Sequence, residues 1–221
     1  MLGRSGSDLE LSCGAQRVGG YRAIPGAGRG KGLLVLVAAP DGRDFARDVC
    51  DRLARAGFVA LAPELAPEQA GAADHAHGLD AIFEAGVAEL FNCDATEGAR
   101  VGAIGFGVGG VLALRAAARQ RRIGAVIDFY GADDLAPLEG VKLTSVEAPI
   151  LFLFGAADAA IDSGAVRALE RRLVEAGARV HLRELPQAGG GFMNEARADA
   201  FDAVAAAHAW DAALAFLGAT L

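Results

Sequence analysis

The sequence predicts an α/β fold in which a mostly parallel, twisted sheet lies between two layers of helices. Short apolar segments rich in Val, Ile, Leu and Phe alternate along the chain with longer segments in which apolar residues recur at helical spacing. This alternation is typical of strands that are buried on both faces and joined by crossover helices. The chain has 221 residues and a hydrophobic content of 53%, enough for one large core. We therefore expect a single domain over residues 1–221.

The predicted elements follow one another in order. Residues 1–30 hold two extended segments separated by polar turn residues and predict an antiparallel hairpin that leads into the sheet. In the first predicted helix, Phe45, Val49 and Leu53 recur on one face, which predicts that this face is buried. Strands of the main sheet are predicted at 32–38, 58–62, 100–105, 125–130, 149–155 and 179–185. Helices are predicted at 43–56, 78–91, 108–120, 163–177 and 198–217.

Charge and hydropathy argue against several classes of function. The chain has 21 basic and 28 acidic residues and a net charge of −7, so it lacks the basic surface expected of a protein that binds nucleic acid or an anionic membrane. Its longest apolar run, residues 33–40, is far too short to span a bilayer, and the N-terminal segment has no apolar stretch typical of a signal peptide. We expect a cytoplasmic protein, either a monomer or a homodimer, with a small-molecule ligand.

Cysteine and histidine spacing gives no reason to expect a metal or another cofactor. Cys13, Cys50 and Cys93 are odd in number and widely spaced, which favours neither a disulfide framework nor a zinc site. His75 and His77 form an HxH pair in a predicted loop at 66–78, but no third ligand accompanies them. Solvated side chains are therefore the favoured interpretation of this pair.

The most informative segment is RVGAIGFGVGGVLAL at 100–114. A strand followed by GFGVG at 105–109 and then by a helix has the context of the nucleophile elbow, G-x-[Ser/Cys]-x-G. Small residues on both sides of such a turn allow the strand and the helix to approach closely around a strained central residue. The central residue here is Gly107, which carries no nucleophile.

The same glycines leave a second interpretation open. Gly105, Gly107 and Gly110 also fit the G-x-G-x-x-G spacing of a dinucleotide-binding loop, in which backbone N–H groups approach a pyrophosphate. The string follows about the third strand of the main sheet instead of the first, and only Asp128 is roughly placed as the acidic partner. Nucleotide binding is therefore the weaker interpretation.

The order and spacing of several segments resemble the dienelactone hydrolase family of α/β-hydrolases. The resemblance implies a three-layer α/β-hydrolase fold and a family chemistry in which a Cys nucleophile, an Asp and a His open small lactones and esters by acyl transfer. The matching segments are GYRAIP at 20–25, RDVCDRLARAGFVALAPEL at 47–65, VGAIGFGVGG at 101–110, FYG at 129–131, APILFLFGAADAAI at 148–161 and GGFMNEARADAFDAVAAAHAW at 190–210.

Carried over by position, the resemblance places the nucleophile at Gly107, the acid at Asp158 and the base at Gly190. Only the acid keeps its side chain. In the loop after the first central strand, Ala39 takes the place of a family Glu, and Pro40, which has no N–H, takes the place of an oxyanion donor. Because the loss of one such donor alone costs about 10²–10³ in rate, hydrolysis by the family mechanism is not expected.

We therefore expect a protein that binds a small hydrophobic or carbonyl ligand at the carboxyl edge of the sheet without hydrolysing it. The candidate residues around this ligand are Ala39, Pro40, Glu64, Gly107, Val108, Tyr130, Asp158 and Phe192. One alternative is an enzyme of the same scaffold, either a carboxylic-ester or lactone hydrolase or a non-hydrolytic enzyme with Asp158 as the acid–base. A second alternative is a protein that acts by binding a partner protein. Neither His181 nor His208 follows Asp158 where the base would stand, so no replacement triad is visible.

Overall fold

A computed structural model describes residues 6–40, 42–66, 76–131, 135–161 and 163–221. Eight strands of this part of the chain form one sheet: β1 (Gly6–Cys13), β2 (Gln16–Ala23), β3 (Gly30–Val37), β4 (Val59–Pro63), β5 (Thr96–Phe106), β6 (Ile123–Phe129), β7 (Ile150–Gly155) and β8 (Val180–Leu185). Their order in the sheet is β1-β2-β4-β3-β5-β6-β7-β8. Strand β2 pairs antiparallel with β1 and β4, and the pairs from β4 to β8 are parallel.

Helices cover both faces of the sheet. The helices of the described residues are α1 (Gly42–Arg55), α2 (Ala76–Asn92), α3 (Val108–Arg119), α4 (Ser163–Glu175) and α5 (Ala203–Thr220). Apolar residues of α2 and α3 pack on one face, and those of α1 and α5 pack on the other. Short 3-10 turns at Ala136–Leu138 and Leu143–Ser145 precede β7. The predicted three-layer α/β architecture is confirmed.

Central strands are buried on both sides, as a parallel sheet between helices requires. In β3, Leu34 and Leu36 face the α2 and α3 side, whereas Leu33, Val35 and Val37 face the α1 and α5 side. Successive side chains of a strand point to opposite faces, so one continuous apolar run serves both cores. This explains why β3 shows no polar alternation in the sequence.

The last helix begins later than predicted. Residues 198–202 were expected to be helical, but α5 starts at Ala203 because the Asp202 carboxylate accepts hydrogen bonds from the N–H groups of Val204 and Ala205, both at 3.0 Å. An Asp in this position satisfies N–H groups that have no partner inside the helix. The residues before Asp202 form turns, and several of them line a depression at the edge of the sheet.

Two other boundaries also differ. Strand β5 begins at Thr96 instead of residue 100, with a register irregularity in its pairing to β3. Helix α2 begins at Ala76, so His77 lies on a helix and not in the predicted loop. His75 lies outside the described residues, and nothing is described of the His77 side chain. The HxH interpretation therefore stays a prediction.

By length and composition, α5 meets the criterion for a membrane-spanning helix, with a mean hydropathy of 1.2 over its 18 residues. Core helices of soluble proteins meet the same criterion. Ala209, Ala213 and Leu217 of this helix are buried against the sheet. The absence of a membrane partner stays a prediction from composition.

Candidate functional site

The turn between β5 and α3 consists of Gly107 alone. Its backbone has φ +57° and ψ −136°, a conformation that residues with a side chain adopt only under strain. Two hydrogen bonds fix the turn: the Gly107 N–H donates to the Phe129 carbonyl at 2.9 Å, and the Gly110 N–H donates to the Gly107 carbonyl at 2.8 Å. The predicted strand–turn–helix context is present.

The glycines around this turn have a steric reason that Gly107 lacks. A Cβ at Gly105 would lie 1.9 Å from the Gly109 carbonyl oxygen, and a Cβ at Gly109 would lie 2.1 Å from that of Leu36. A Cβ at Gly110 would lie 1.9 Å from Oδ1 of the buried Asp128. At Gly107, by contrast, an added Cβ would meet nothing within 4 Å. The glycines on either side of the turn are tightly packed, whereas position 107 has room for a side chain, as expected of a turn that presents a side chain to a cleft.

Gly107 opens into a cleft of about 750 Å³ at the carboxyl edge of the sheet. Its apolar wall includes Phe45, Phe106, Tyr130 and Phe201. The Phe45 and Phe106 rings meet edge to face, with centroids 5.0 Å apart. A cleft of this volume suits a small organic ligand. The polar lining residues of the described chain are Asp158, Gln187, Asn194, Arg197, Asp199 and Asp202.

Asp158 lies in the turn after β7, and its carboxylate packs against Gly190. An ideal Cβ at Gly190 would lie 2.7 Å from Oδ2 of Asp158 and 2.9 Å from Oδ1. The two loops are tied together because the Ala157 N–H donates to the Ala188 carbonyl at 3.0 Å. Gly107, Asp158 and Gly190 therefore line one cleft, which is the juxtaposition that the resemblance implied for a nucleophile, an acid and a base.

Of Ala39, Pro40 and Glu64, only Ala39 lines the Gly107 cleft, and all three line a neighbouring depression. Ala39 lines the cleft beside Gly107, whereas Pro40 lines neighbouring depressions. Glu64 lies in a separate depression of about 440 Å³, where its Oε1 is 2.6 Å from Nε of Arg43. The prediction that Glu64 and Pro40 border the Gly107 cleft is therefore corrected. β4 lies beyond β3 from the elbow, so the residue that follows it opens into the next depression.

Tyr130 and Phe192 also differ in their roles. Tyr130 lines the cleft from a backbone with φ +46°, which is uncommon for a residue with a side chain. Burial raises the pKa of its phenol, which keeps the hydroxyl protonated, and a hydrogen bond with the Met193 backbone opposes that shift. Phe192 is fully buried and supports Tyr130 from behind, with ring centroids 5.1 Å apart. The prediction that Phe192 is a wall of the cleft is corrected accordingly.

Val108 is half-buried next to the turn. It is the first residue of α3, so its N–H has no acceptor within the helix. In the family mechanism, the N–H that follows the nucleophile is one of the oxyanion donors. Val108 has an N–H at this position, whereas Pro40, where the resemblance predicts the second donor, has none.

Several polar lining residues escaped the sequence analysis. Arg197 and Asp199 form an ion pair with Nη2 and Oδ2 3.0 Å apart, and this contact lowers the pKa of Asp199. Asp199 was missed because it lies inside the predicted helix 198–217, and Arg197 directly precedes that helix. Asp202 followed by AVAAA is a typical helix start, and that signal could have placed the preceding residues in a loop.

The described lining of the cleft offers no thiol, aliphatic hydroxyl or imidazole. His181 and His208 lie elsewhere, in a groove between β8 and α5. Cys13, Cys50 and Cys93 are buried, and burial raises the pKa of the first two. Within the described ranges, no three His, Cys, Asp or Glu side chains are grouped as metal ligands.

The dinucleotide interpretation gains no support from Asp128. This residue is inside β6 and 1% exposed, and its Oδ1 accepts a hydrogen bond from the Gly131 N–H at 2.8 Å. Ribose recognition requires a carboxylate at the open end of a strand. Asp128 instead fixes the backbone behind the elbow.

Comparison with known proteins assigns the family. The model of the dienelactone hydrolase family matches residues 18–221. The chain belongs to this family. It is 31% identical to a probable 2-oxo-3-(5-oxofuran-2-ylidene)propanoate lactonase of Bradyrhizobium sp, with 86% of this chain and 84% of that protein covered. It is also 28% identical to the protein usf of Aquifex pyrophilus, with 96% and 97% covered.

Solved structures of dienelactone hydrolases share the fold. A dienelactone hydrolase-like promiscuous phosphotriesterase from metagenomic libraries superimposes with a TM-score of 0.84 at 22% identity, covering 98% of both chains. The dienelactone hydrolase of Anabaena variabilis gives a TM-score of 0.69 at 22% identity, with 98% of this chain and 99% of that chain covered. The α/β-hydrolase fold expected from the resemblance is confirmed.

Proposed function

We propose that this dienelactone hydrolase-like protein binds a small hydrophobic or carbonyl-bearing molecule in the Gly107 cleft without hydrolysing it. The observation that carries the proposal is the open space at Gly107, in a turn whose flanking glycines are closely packed. The turn keeps the shape that presents a nucleophile, but it has no atom that can attack a carbonyl carbon. Acyl transfer by the family mechanism requires that atom.

The remaining chemistry of the cleft suits binding. Phe45, Phe106 and Tyr130 supply apolar surface, and the Val108 N–H at the start of α3 can donate to a carbonyl oxygen. The absence of a side chain at Gly107 leaves room at the centre. A ligand held there meets an acceptor carboxylate and an aromatic wall, but no nucleophile.

Charge also separates the proposed ligand from the substrate named for the Bradyrhizobium relative. That substrate is a propanoate and therefore an anion. The described lining of this cleft has three carboxylates, Asp158, Asp199 and Asp202, against one guanidinium, Arg197, which is a net charge of −2. Like charge disfavours an anionic ligand. A neutral or cationic ligand is therefore the better match.

A specific observation favours one alternative, a non-hydrolytic enzyme that uses Asp158 as an acid–base. Its Oδ1 accepts a hydrogen bond from the Ala160 N–H at 2.9 Å, while Oδ2 faces Gly190. A half-buried carboxylate with one oxygen directed toward a cleft can exchange a proton with a bound molecule. This alternative does not require a nucleophilic side chain at position 107.

Turnover measurements distinguish the proposed binding function from the other enzyme of the same scaffold, an ester or lactone hydrolase that uses Asp158. The chain is incubated with p-nitrophenyl acetate and with a neutral lactone, next to Asp158→Ala and the matched control Asp199→Ala. The proposal predicts no turnover above buffer in any of the three proteins. Turnover that disappears in Asp158→Ala but persists in Asp199→Ala would establish the enzyme and overturn the proposal.

Binding is measured independently of turnover. A set of small neutral aromatic ketones and lactones is titrated while the amide resonances of Gly107, Gly189 and Gly190 are followed by NMR. Gly189→Leu is the control, since a Cβ at Gly189 meets nothing within 4 Å and a larger side chain would fill the cleft. The proposal predicts shifts of these amides in the unaltered chain, and loss of the Gly107 and Gly190 shifts in Gly189→Leu. Shifts that persist in that variant would place the ligand elsewhere.

A further inference from the structure

Only one of the two Asp158 carboxylate oxygens accepts a hydrogen bond from the described residues. The Ala160 N–H occupies Oδ1, and among the described residues no donor is bonded to Oδ2. An ideal Cβ at Gly190 would lie 2.7 Å from that oxygen, so the carboxylate packs against the Gly190 backbone at the edge of the cleft. A half-buried carboxylate oxygen without a donor is an acceptor site for a ligand.

The surroundings of Oδ2 limit which ligands can bind beside it. Asp158 and Gly107 line the same cleft, and Phe45, Phe106 and Tyr130 form its aromatic wall. A flat ring fits between such a wall and a loop made of small residues. The described lining has a net charge of −2, so a positively charged or N–H-donating ring is favoured over an anion.

We infer that the ligand of this cleft is a nitrogen-containing aromatic compound that donates an N–H to Oδ2 of Asp158. Its ring occupies the open part of the cleft beside Gly107 and Gly189, where an added Cβ would meet nothing within 4 Å. This inference rests on the proposed binding function and names the chemical class that the site takes. Aromatic side chains of the wall contribute a further attraction when the ring carries a positive charge.

The probe is 4-phenylimidazole, and two further compounds serve as matched controls. 4-Phenyloxazole keeps the shape but has no N–H donor, and benzoate carries the opposite charge. Affinities are measured by NMR titration of the Gly189 and Gly190 amides of the full chain. The structure predicts that 4-phenylimidazole binds about 10- to 100-fold more tightly than 4-phenyloxazole, the range expected for one hydrogen bond to a charged acceptor. Benzoate is expected to bind most weakly.

Two variants remove the same charge from different places. Asp158→Asn is expected to weaken 4-phenylimidazole about 10- to 100-fold. Asp199→Asn, at an exposed carboxylate already paired with Arg197, is expected to weaken it less than about fivefold. Circular dichroism and the thermal midpoint of each variant report whether the fold is kept. A third variant, Gly190→His, places a side chain against the Asp158 carboxylate, which must shift, and is expected to abolish the binding of this probe.

The outcomes separate the inference from the proposed function. Equal affinities for 4-phenylimidazole and 4-phenyloxazole, an unchanged affinity in Asp158→Asn, or no binding of 4-phenylimidazole would each overturn the inference. If neutral ketones still shift the cleft glycines in that case, the proposed binding function remains valid. Hydrolysis of p-nitrophenyl acetate that depends on Asp158 would instead overturn the proposed function.

Discussion

Adding one methyl group at residue 107 tests whether this turn has the backbone conformation of a nucleophile elbow, in which a residue with a side chain is strained. Gly107→Ala places a Cβ on a backbone with φ +57° and ψ −136°, where it meets nothing within 4 Å. A side chain held in such a region costs about 1–3 kcal/mol. Loss of backbone freedom in the unfolded chain returns about 0.4–1 kcal/mol. No packing contact offsets the remainder, so we expect a loss of about 1–2 kcal/mol in the free energy of unfolding.

The assay is urea unfolding followed by circular dichroism, with Gly189→Ala as the matched control. Gly189 lines the same cleft, has equally open space above it and lies outside the left-handed region. Its substitution is expected to be neutral or slightly stabilising, because only the unfolded chain changes. In a thermal scan, the unfolding midpoint of Gly107→Ala should be lower by about 2–4 °C for each kcal/mol lost from the free energy of unfolding. If Gly107→Ala is as stable as Gly189→Ala, the argument that position 107 is strained is refuted.

Two further outcomes follow from packing and burial. Gly105→Ala brings a Cβ to 1.9 Å from the Gly109 carbonyl oxygen. We expect this contact to lower the free energy of unfolding by about 3 kcal/mol or more. A urea midpoint close to that of the unaltered chain would contradict the close packing of the elbow. Burial raises the pKa of the Cys50 thiol, so the unfolded chain loses this proton before the folded one. The free energy of unfolding should therefore fall above about pH 8.5, by up to about 1.4 kcal/mol per pH unit for each such thiol. Urea midpoints between pH 7 and 10 check this, and an equally steep decline in Cys50→Ala would show that the thiol is not the cause.

The sequence predicts the order of strands and helices because each buried strand is a continuous apolar run and each helix has an apolar face. Boundaries are less well predicted where a single polar residue decides them. Asp202 ends the preceding turns by capping α5, and hydrophobic periodicity does not register such a contact. The twist of the sheet and the pairing of β5 with β3 likewise depend on partners distant in sequence.

At the site, the sequence predicts the residues that belong to a local turn. Gly107 and Asp158 each follow a strand directly, so their placement at the carboxyl edge follows from parallel topology. Glu64 also follows a strand, but its strand is not adjacent to β5, and its carboxylate pairs with Arg43 instead. Phe192 was expected in the wall because it lies close to Gly190 in sequence. Only the packing of its ring against Tyr130 shows that it is buried.

The central proposal is that the chain performs no acyl transfer because Gly107 and Gly190 supply neither a nucleophile nor a base. The most direct measurement compares p-nitrophenyl acetate hydrolysis by the unaltered chain with that by the double variant Gly107→Cys and Gly190→His, each confirmed as folded. Position 107 has open space for the thiol, and at position 190 only the end of the Asp158 side chain must move. The account predicts no turnover by the unaltered chain and a gain of at least about tenfold in the double variant, below a full family enzyme because the donor at Pro40 is absent. A folded double variant no faster than the unaltered chain would contradict it.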